Sequence, residues 1–366
     1  MAVTFNSITK AAGAGAAVAL CLTALNSTAH AQKTISLTAI DGYPAKALWV
    51  KTFVKFFVPE VNRQLATTGN YKIKWNLAWG GQIVKPKGVF KGLQKGLGDL
   101  GIVTTVFHAD KVPLHGLSFA TPFVTTDPAL LARTFDDMAQ KFPAFKEGWK
   151  KYNQVYLTNL AVLDSYNMFF KEPVKGLSSF KGKKIAAAGL NMRYLKNTGA
   201  AGVGGSLVSY YNKLKTGVVD GAMIWAEAAV IFRTVEVAPY MLKADLGTAN
   251  SKGISVNADS WKSYPEEVRV AMQEAAYGYR DKMGADALSV AAASYKAFAE
   301  KGGKITVLGQ DQRQKWADDM PNVAADWVAA REKEGAPGRV VMESYMNTMR
   351  AAKQPILRQW DKELGS

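Results

Sequence analysis

The chain has 366 residues, 48% of them hydrophobic, and a formal net charge of +16. Such a length allows two domains of ordinary size, and the apolar content excludes a disordered chain. Its single cysteine, Cys21, leaves no disulfide framework and no thiol chemistry for the remainder.

At the N-terminus, Lys10 precedes a short apolar run, Ala11 to Leu25, and Ala29-His30-Ala31 fits a small-x-small cleavage site. The run is too short and too rich in alanine for a permanent membrane span. Residues 1–31 therefore read as a secretory signal, with the mature chain starting at Gln32 and the periplasm as its destination. Leu20 does not fit the small residue that a lipid-attachment site at Cys21 would want. The basic balance either steers anions to a cleft or keeps the surface soluble. Basic and acidic residues are interspersed, and no nucleic-acid recognition motif occurs.

Thr34 to Thr38 alternates as a first strand, and Asp41-Gly42-Tyr43-Pro44 is a turn. Ala45 to Leu65 carries helical spacing, and Tyr71 to Trp79 reads as a strand ended by Gly80-Gly81. A helix from about Val89 leads to a glycine-rich turn and a third strand. Leu130 to Phe142 looks helical, Val155 to Leu163 is a strand, and Asp164-Ser165-Tyr166 marks a first crossing between lobes. Lys183 to Ala187, Leu207 to Lys215 and Val218 to Trp225 spell strand, helix, strand, a parallel crossover unit. Its closing phrase, Leu214 to Ile224 (LKTGVVDGAMI), aligns without gaps to Leu93 to Val103 (LQKGLGDLGIV). Two copies of one unit predict two α/β lobes and a cleft. Ile254 to Val256 is a strand that crosses back, and from Pro265 one apolar stripe continues to Gly302-Gly303. That stripe predicts a spine of about 50 Å at 1.5 Å per residue, with Gly278 and Gly284 as places to bend.

The chain offers no catalytic constellation. Gly96 to Gly101 matches GxGxxG, but its glycines follow a helix and precede a strand, the reverse of a dinucleotide site. Gly202 to Gly205 reads as a packed turn in preference to a phosphate nest, and no GxSxG elbow occurs. His108 and His115, with Asp110 as the one close carboxylate, do not make a metal site. No cofactor is expected. Aromatic and polar residues instead fall at predicted strand ends and crossings: Tyr43, Trp79, Gln82, Tyr166, Asn191, Arg193, Trp225 and Glu227. Each alone is an ordinary packing or surface residue. Together they predict a pocket with a guanidinium for a carboxylate and ring faces for an apolar body.

Several strings resemble the solute receptors of TRAP transporters, the DctP-type extracytoplasmic binding proteins. They are AWGGQIVKPKGVFKGLQKGLGDLGIV, SSFKGKKIAAAG, NTGAAGV, YYNKLKTGVVDGAMI, EVAPYML and ISVNADSWKSYPEEVRVAMQEAA, in the family's order. The resemblance implies a two-lobed periplasmic binding protein of the class II-like α/β fold, with several inter-lobe crossings and a spine helix. It implies capture of a small organic acid and delivery to the membrane permease subunits of a TRAP transporter, with no ATPase and no enzymatic activity. The expected division is 1–31 signal, 32–163 plus about 252–285 lobe I, and 164–251 plus about 286–366 lobe II, in a monomer or weak dimer. The family's usual arginine after KGxKI is replaced here by Ala186, and a second family arginine by Tyr166. Arg193 is the nearest substitute clamp, and the loss favours a bulkier or aromatic monocarboxylate over a dicarboxylate. Other readings of the same scaffold are the ligand-binding part of a sensor and an exported lyase or hydrolase.

Overall fold

A computed structural model describes residues 32–161 and 164–365; the expected signal and its cleavage site lie outside the described residues. The first sheet begins with β1 (Lys33–Ile40), whose inward residues Leu37 and Ala39 are buried. Residues 45–65, one helix by their spacing, form α1 (Leu48–Thr52), a π turn (Phe53–Phe57) and α2 (Val58–Ala66). Pro59 accounts for the difference. It has no N–H for the carbonyl of Lys55, and its ring would clash there, so the preceding turn widens. The chain returns as β2 (Tyr71–Ala78), parallel to β1 in register from Lys33–Tyr71 to Ile40–Ala78. Then follow α3 (Val89–Gln94), β3 (Leu100–Thr104), a 3-10 segment (Pro113–Ala120), α4 (Pro128–Lys141), α5 (Ala144–Lys150) and β4 (Gln154–Ala161).

The second sheet is built from β5 (Asn167–Phe170), β6 (Lys184–Ala187), β7 (Ala201–Gly204), β8 (Gly221–Ile224) and β9 (Tyr240–Lys243). A 3-10 turn, Gly189–Leu195, follows β6, α6 (Leu207–Lys215) joins β7 to β8, and α7 (Ala226–Ile231) follows β8. The glycines at 202–205 are mostly an edge strand rather than a packed turn: β7 pairs in parallel with β6 from Lys184–Ala201 to Ala187–Gly204. β6 and β8 are parallel, as the strand–helix–strand pattern predicts.

The repeated phrase does the same work in both lobes. Asp99 takes the Thr38 N–H on its carboxylate at 2.7 Å and gives its own N–H to the Thr38 carbonyl at 2.8 Å. Asp220 treats Lys184 identically, at 2.7 Å in both directions. Gly96 and Gly217, at φ 70° and 76°, end the preceding helices in the left-handed region that favours glycine. Each aspartate thus clamps the entry of a parallel strand to its neighbour.

The lobes exchange strands. β10 (Asn250–Asn257) returns from the second lobe and inserts antiparallel between β3 and β4, giving the order β2-β1-β3-β10-β4. The two crossings hold each other: the Tyr166 N–H donates to Gly247 O and the Leu246 N–H to Tyr166 O, each at 3.1 Å. After α8 (Ala258–Ser263) comes the spine, α9 (Glu266–Glu300), 35 residues with Glu266 and Glu267 in its first turn. It runs uninterrupted through Gly278 and Gly284. These are sites of close packing: a Cβ at 284 would stand 2.8 Å from Ala129 Cβ of α4. α9 touches α2, α4 and β4 of the first lobe and α7 of the second. β11 (Lys304–Val307) completes the second sheet beside β9, in the order β11-β9-β5-β8-β6-β7. The tail, expected in lobe II, divides its contacts. α10 (Gln310–Asp319) places Trp316 against Phe180 of the second lobe and Phe123. α11 (Val323–Lys333) and α12 (Gly338–Ala351) return to the first, where Trp327 Nε1 donates to Pro113 O at 3.2 Å and Tyr345 packs on Phe135.

Candidate functional site

Between the lobes lies a narrow cavity of about 20 Å³. The first lobe contributes Tyr43, Thr104, Val106, Phe107, Ser251 and Lys252, the crossing gives Tyr166, and the second lobe adds Ala188, Asn191, Leu207, Tyr210, Met223, Ile224 and Trp225. The lobes meet around it: Trp49 stands 6.4 Å from Trp225 and Tyr43 6.1 Å from Phe232, centroid to centroid. Gly189, at φ 41°, lies so close to Val106 that a Cβ would come within 2.2 Å of its carbonyl oxygen.

Lys252 is the charged residue in this lining. β10 carries it opposite Thr104 of β3, and it is only 4% exposed. Its Nζ donates to Thr104 Oγ1 at 3.2 Å and sits 4.3 Å from the Trp49 ring and 5.2 Å from the Tyr43 ring. Those ring faces offset part of the cost of burying an ammonium. Two buried carboxylates stand behind it. Asp41 accepts from the Tyr43 N–H at 3.0 Å and Trp49 Nε1 at 2.9 Å, and Glu227 accepts from Trp225 Nε1 at 2.9 Å. Burial pushes Lys252 down to about 8, against the opposing pull of Asp41 and Glu227. Burial likewise pushes Asp41 and Glu227 each up to about 7. Neither carboxylate lines the cavity; the lysine faces it and the acids tune it.

Of the residues singled out in the sequence, Tyr43, Tyr166, Asn191 and Trp225 line the cavity, and Glu227 backs it. Trp79 packs instead on Phe53 of the π turn, 5.6 Å between centroids, and Gln82 is exposed on the turn after it. Arg193 is half-buried on the 3-10 turn 189–195, outside the lining, and Ala186 is fully buried within the second sheet. Sequence reasoning missed Lys252. The clue was a lysine inside a run of strand character, Asn250 to Asn257, but only the insertion of β10 beside β3 turns it toward the cleft. Nor did sequence reasoning single out Tyr210, which the helix 207–215 brings to the lining. His115 is fully buried, accepts from Trp149 Nε1 at 2.8 Å, and is driven by burial down to about 3. Among the described residues no group of three or more His, Cys, Asp or Glu is placed to hold a metal ion.

Two lobes joined by crossed strands and closed on an aromatic cavity with one buried cation define a binding protein for a small molecule. The chain matches the sequence model of DctP, bacterial extracellular solute-binding protein family 7, over residues 43–330. It therefore belongs to that family, the TRAP-type solute receptors, whose members are periplasmic transport proteins rather than enzymes. No curated protein sequence matches it. Among solved structures with the same fold is a TRAP solute-binding protein from Rhodoferax ferrireducens in complex with benzoate. It has 17% identity and a TM-score of 0.78, over 87% of this chain and 98% of that one. Another, from Bordetella bronchiseptica with bound mandelate, has 19% identity and a TM-score of 0.76, over 87% and 99%. A Bordetella pertussis extracytoplasmic solute receptor binding pyroglutamic acid has 17% identity and a TM-score of 0.73, over 86% and 99%.

Proposed function

We propose that this receptor captures a small organic acid with one carboxylate in the inter-lobe cavity and delivers it to the membrane subunits of a TRAP transporter. The observation that carries the reading is Lys252. It is a buried cation facing a cavity walled by Tyr43, Tyr166, Tyr210, Phe107 and Trp225. A single cation suits a single carboxylate, and ring faces suit an apolar or aromatic body. The acids named with the Rhodoferax and Bordetella relatives are of this general kind. The clamp that the resemblance led us to expect at Arg193 is thus reassigned to Lys252, on the opposite lobe.

Calorimetric titration with a panel of small carboxylates tests this. Lys252→Met should lose about 2–5 kcal/mol of binding, the cost of truncating one side of a buried charged contact. Arg193→Ala should bind within a few-fold of the natural protein. Retained affinity in Lys252→Met, or a large loss in Arg193→Ala alone, would sink the assignment. Uptake of the same acid into vesicles holding the permease, dependent on this protein and on an ion gradient, tests delivery.

A further inference from the structure

Of the residues that line the inner cavity, only Phe107 and Ala188 are half-buried; every other one is buried. Both are chain neighbours of the Val106–Gly189 contact that joins the lobes. On the outer side of that seam lies a second, open cleft of about 360 Å³. Val106 and Phe107 line both spaces. The turn that faces them is divided: Ala188 and Asn191 line the inner cavity, Gly189, Leu190 and Met192 the outer cleft. The inner space, about 20 Å³, is little more than one water needs. An acid therefore enters only when a wall moves, and the wall that reaches solvent is this one.

Charge is placed at that wall. Lys87, on the turn before α3, is exposed and holds its Nζ 5.3 Å from the centre of the Phe107 ring. Among the described residues it has no ion pair. Across the cleft, Lys213 of α6 donates to Gly204 O at 2.6 Å. The carboxylate of the outer lining, Asp110, is already paired with Lys111 at 2.6 Å. The cleft is therefore net positive, and an anion arrives there faster than a cation of the same size. An anion drawn to Lys87 rests beside the ring that separates it from the inner cavity. Resting on the receptor function proposed above, we infer that the acid enters through the outer cleft, that Phe107 is the gate between the two spaces, and that Lys87 gathers the anion at this gate before Lys252 holds it.

From Gln32 onward the chain has no cysteine, so one introduced thiol reports access. Ser251→Cys puts it in the wall of the inner cavity. Its rates of modification by anionic sulfonatoethyl and cationic trimethylammonioethyl methanethiosulfonate are compared in the full mature chain, free of acid. Both reagents meet the same thiol, so its own reactivity cancels from their ratio. The anionic reagent should react about tenfold faster at low salt, and salt should erode the difference. Lys87→Gln should cut the ratio several-fold, and Lys141→Gln, at the end of α4, should leave it unchanged. Phe107→Ala should speed both reagents without moving their ratio. Phe232→Ala, which loosens the lobe contact with Tyr43, should speed them much less. Circular-dichroism melts confirm folding, and if Ser251→Cys does not fold, Leu207→Cys on the opposite wall provides the same comparison. A ratio unmoved by Lys87→Gln, or moved equally by Lys141→Gln, overturns the role of Lys87. Equal acceleration by Phe107→Ala and Phe232→Ala, or a thiol that neither reagent reaches until the protein is unfolded, overturns the gate. None of these outcomes involves an acid, so the receptor function stands or falls separately, on the calorimetric titration of Lys252→Met.

Discussion

Lys252 sits between two demands, burial that disfavours its charge and the Asp41 and Glu227 carboxylates that favour it. With Lys252 lowered to about 8 and both acids raised to about 7, the cluster titrates across neutrality. The sign of the linkage follows from charge. A bound carboxylate favours the protonated form of all three groups, so binding takes up protons between about pH 6 and 9. Affinity should therefore rise as pH falls from 9 toward 6, then level off until the ligand itself becomes protonated. Titrations in buffers of different ionisation enthalpy near pH 7.5 should show net proton uptake. Asp41→Asn should flatten the part of the slope near pH 7. Affinity independent of pH, or proton release on binding, would contradict this account of the site.

At the scale of single elements, two contacts have opposite jobs. Asp136 of α4 is buried and accepts from Tyr156 at 2.7 Å, Thr158 at 2.5 Å and Asn159 at 3.0 Å, all on β4, and from Arg280 of α9 at 2.6 Å. Asp136→Ala strips that network and leaves Arg280 without its buried partner. It should cost about 3–5 kcal/mol, read as a melting temperature lower by roughly 10 °C. Gly189 is a contact between lobes instead. Gly189→Ala adds a Cβ against the Val106 carbonyl, so it should hinder closure and weaken ligand binding about tenfold, while the left-handed φ by itself costs the free protein about 1–2 kcal/mol and lowers its melting temperature by a few degrees. The local elements were legible in the sequence. The Asp99 and Asp220 phrases, the α6 unit and the spine each rest on residues close together in the chain. The Pro59 distortion was missed because periodicity does not register a widened turn. Lys252, the closure contact of Gly189 with Val106, and the return of α11 and α12 to the first lobe were not legible, because each depends on which distant strand or lobe the chain meets. Four site residues at turns and strand ends reached the cavity, while Trp79 and Gln82, chosen by the same rule, lie at a strand end that faces elsewhere.

For the whole molecule, the geometry is that of lobes already in contact, with crossings at Tyr166 and Leu246 hydrogen-bonded to each other. Solution scattering should show a smaller radius of gyration when the protein is saturated with its acid than when it is freed of ligand, and Gly189→Ala should show the smaller change. An unchanged radius in the natural protein would count against hinge closure. The insertion of β10 has a consequence for how the protein is made. β3 and β4 do not pair with each other; the strand between them is synthesised after the strands of the second sheet except β11. As the polypeptide emerges, its first lobe lacks a middle until residues 250–257 arrive, so the N-terminal half has no early opportunity to collapse into a finished domain. Long-range pairing of this kind is slow to form. A nascent chain that stays open until most of it exists is one that a secretion channel can still thread, and the strand that ends this delay also brings Lys252 into the pocket.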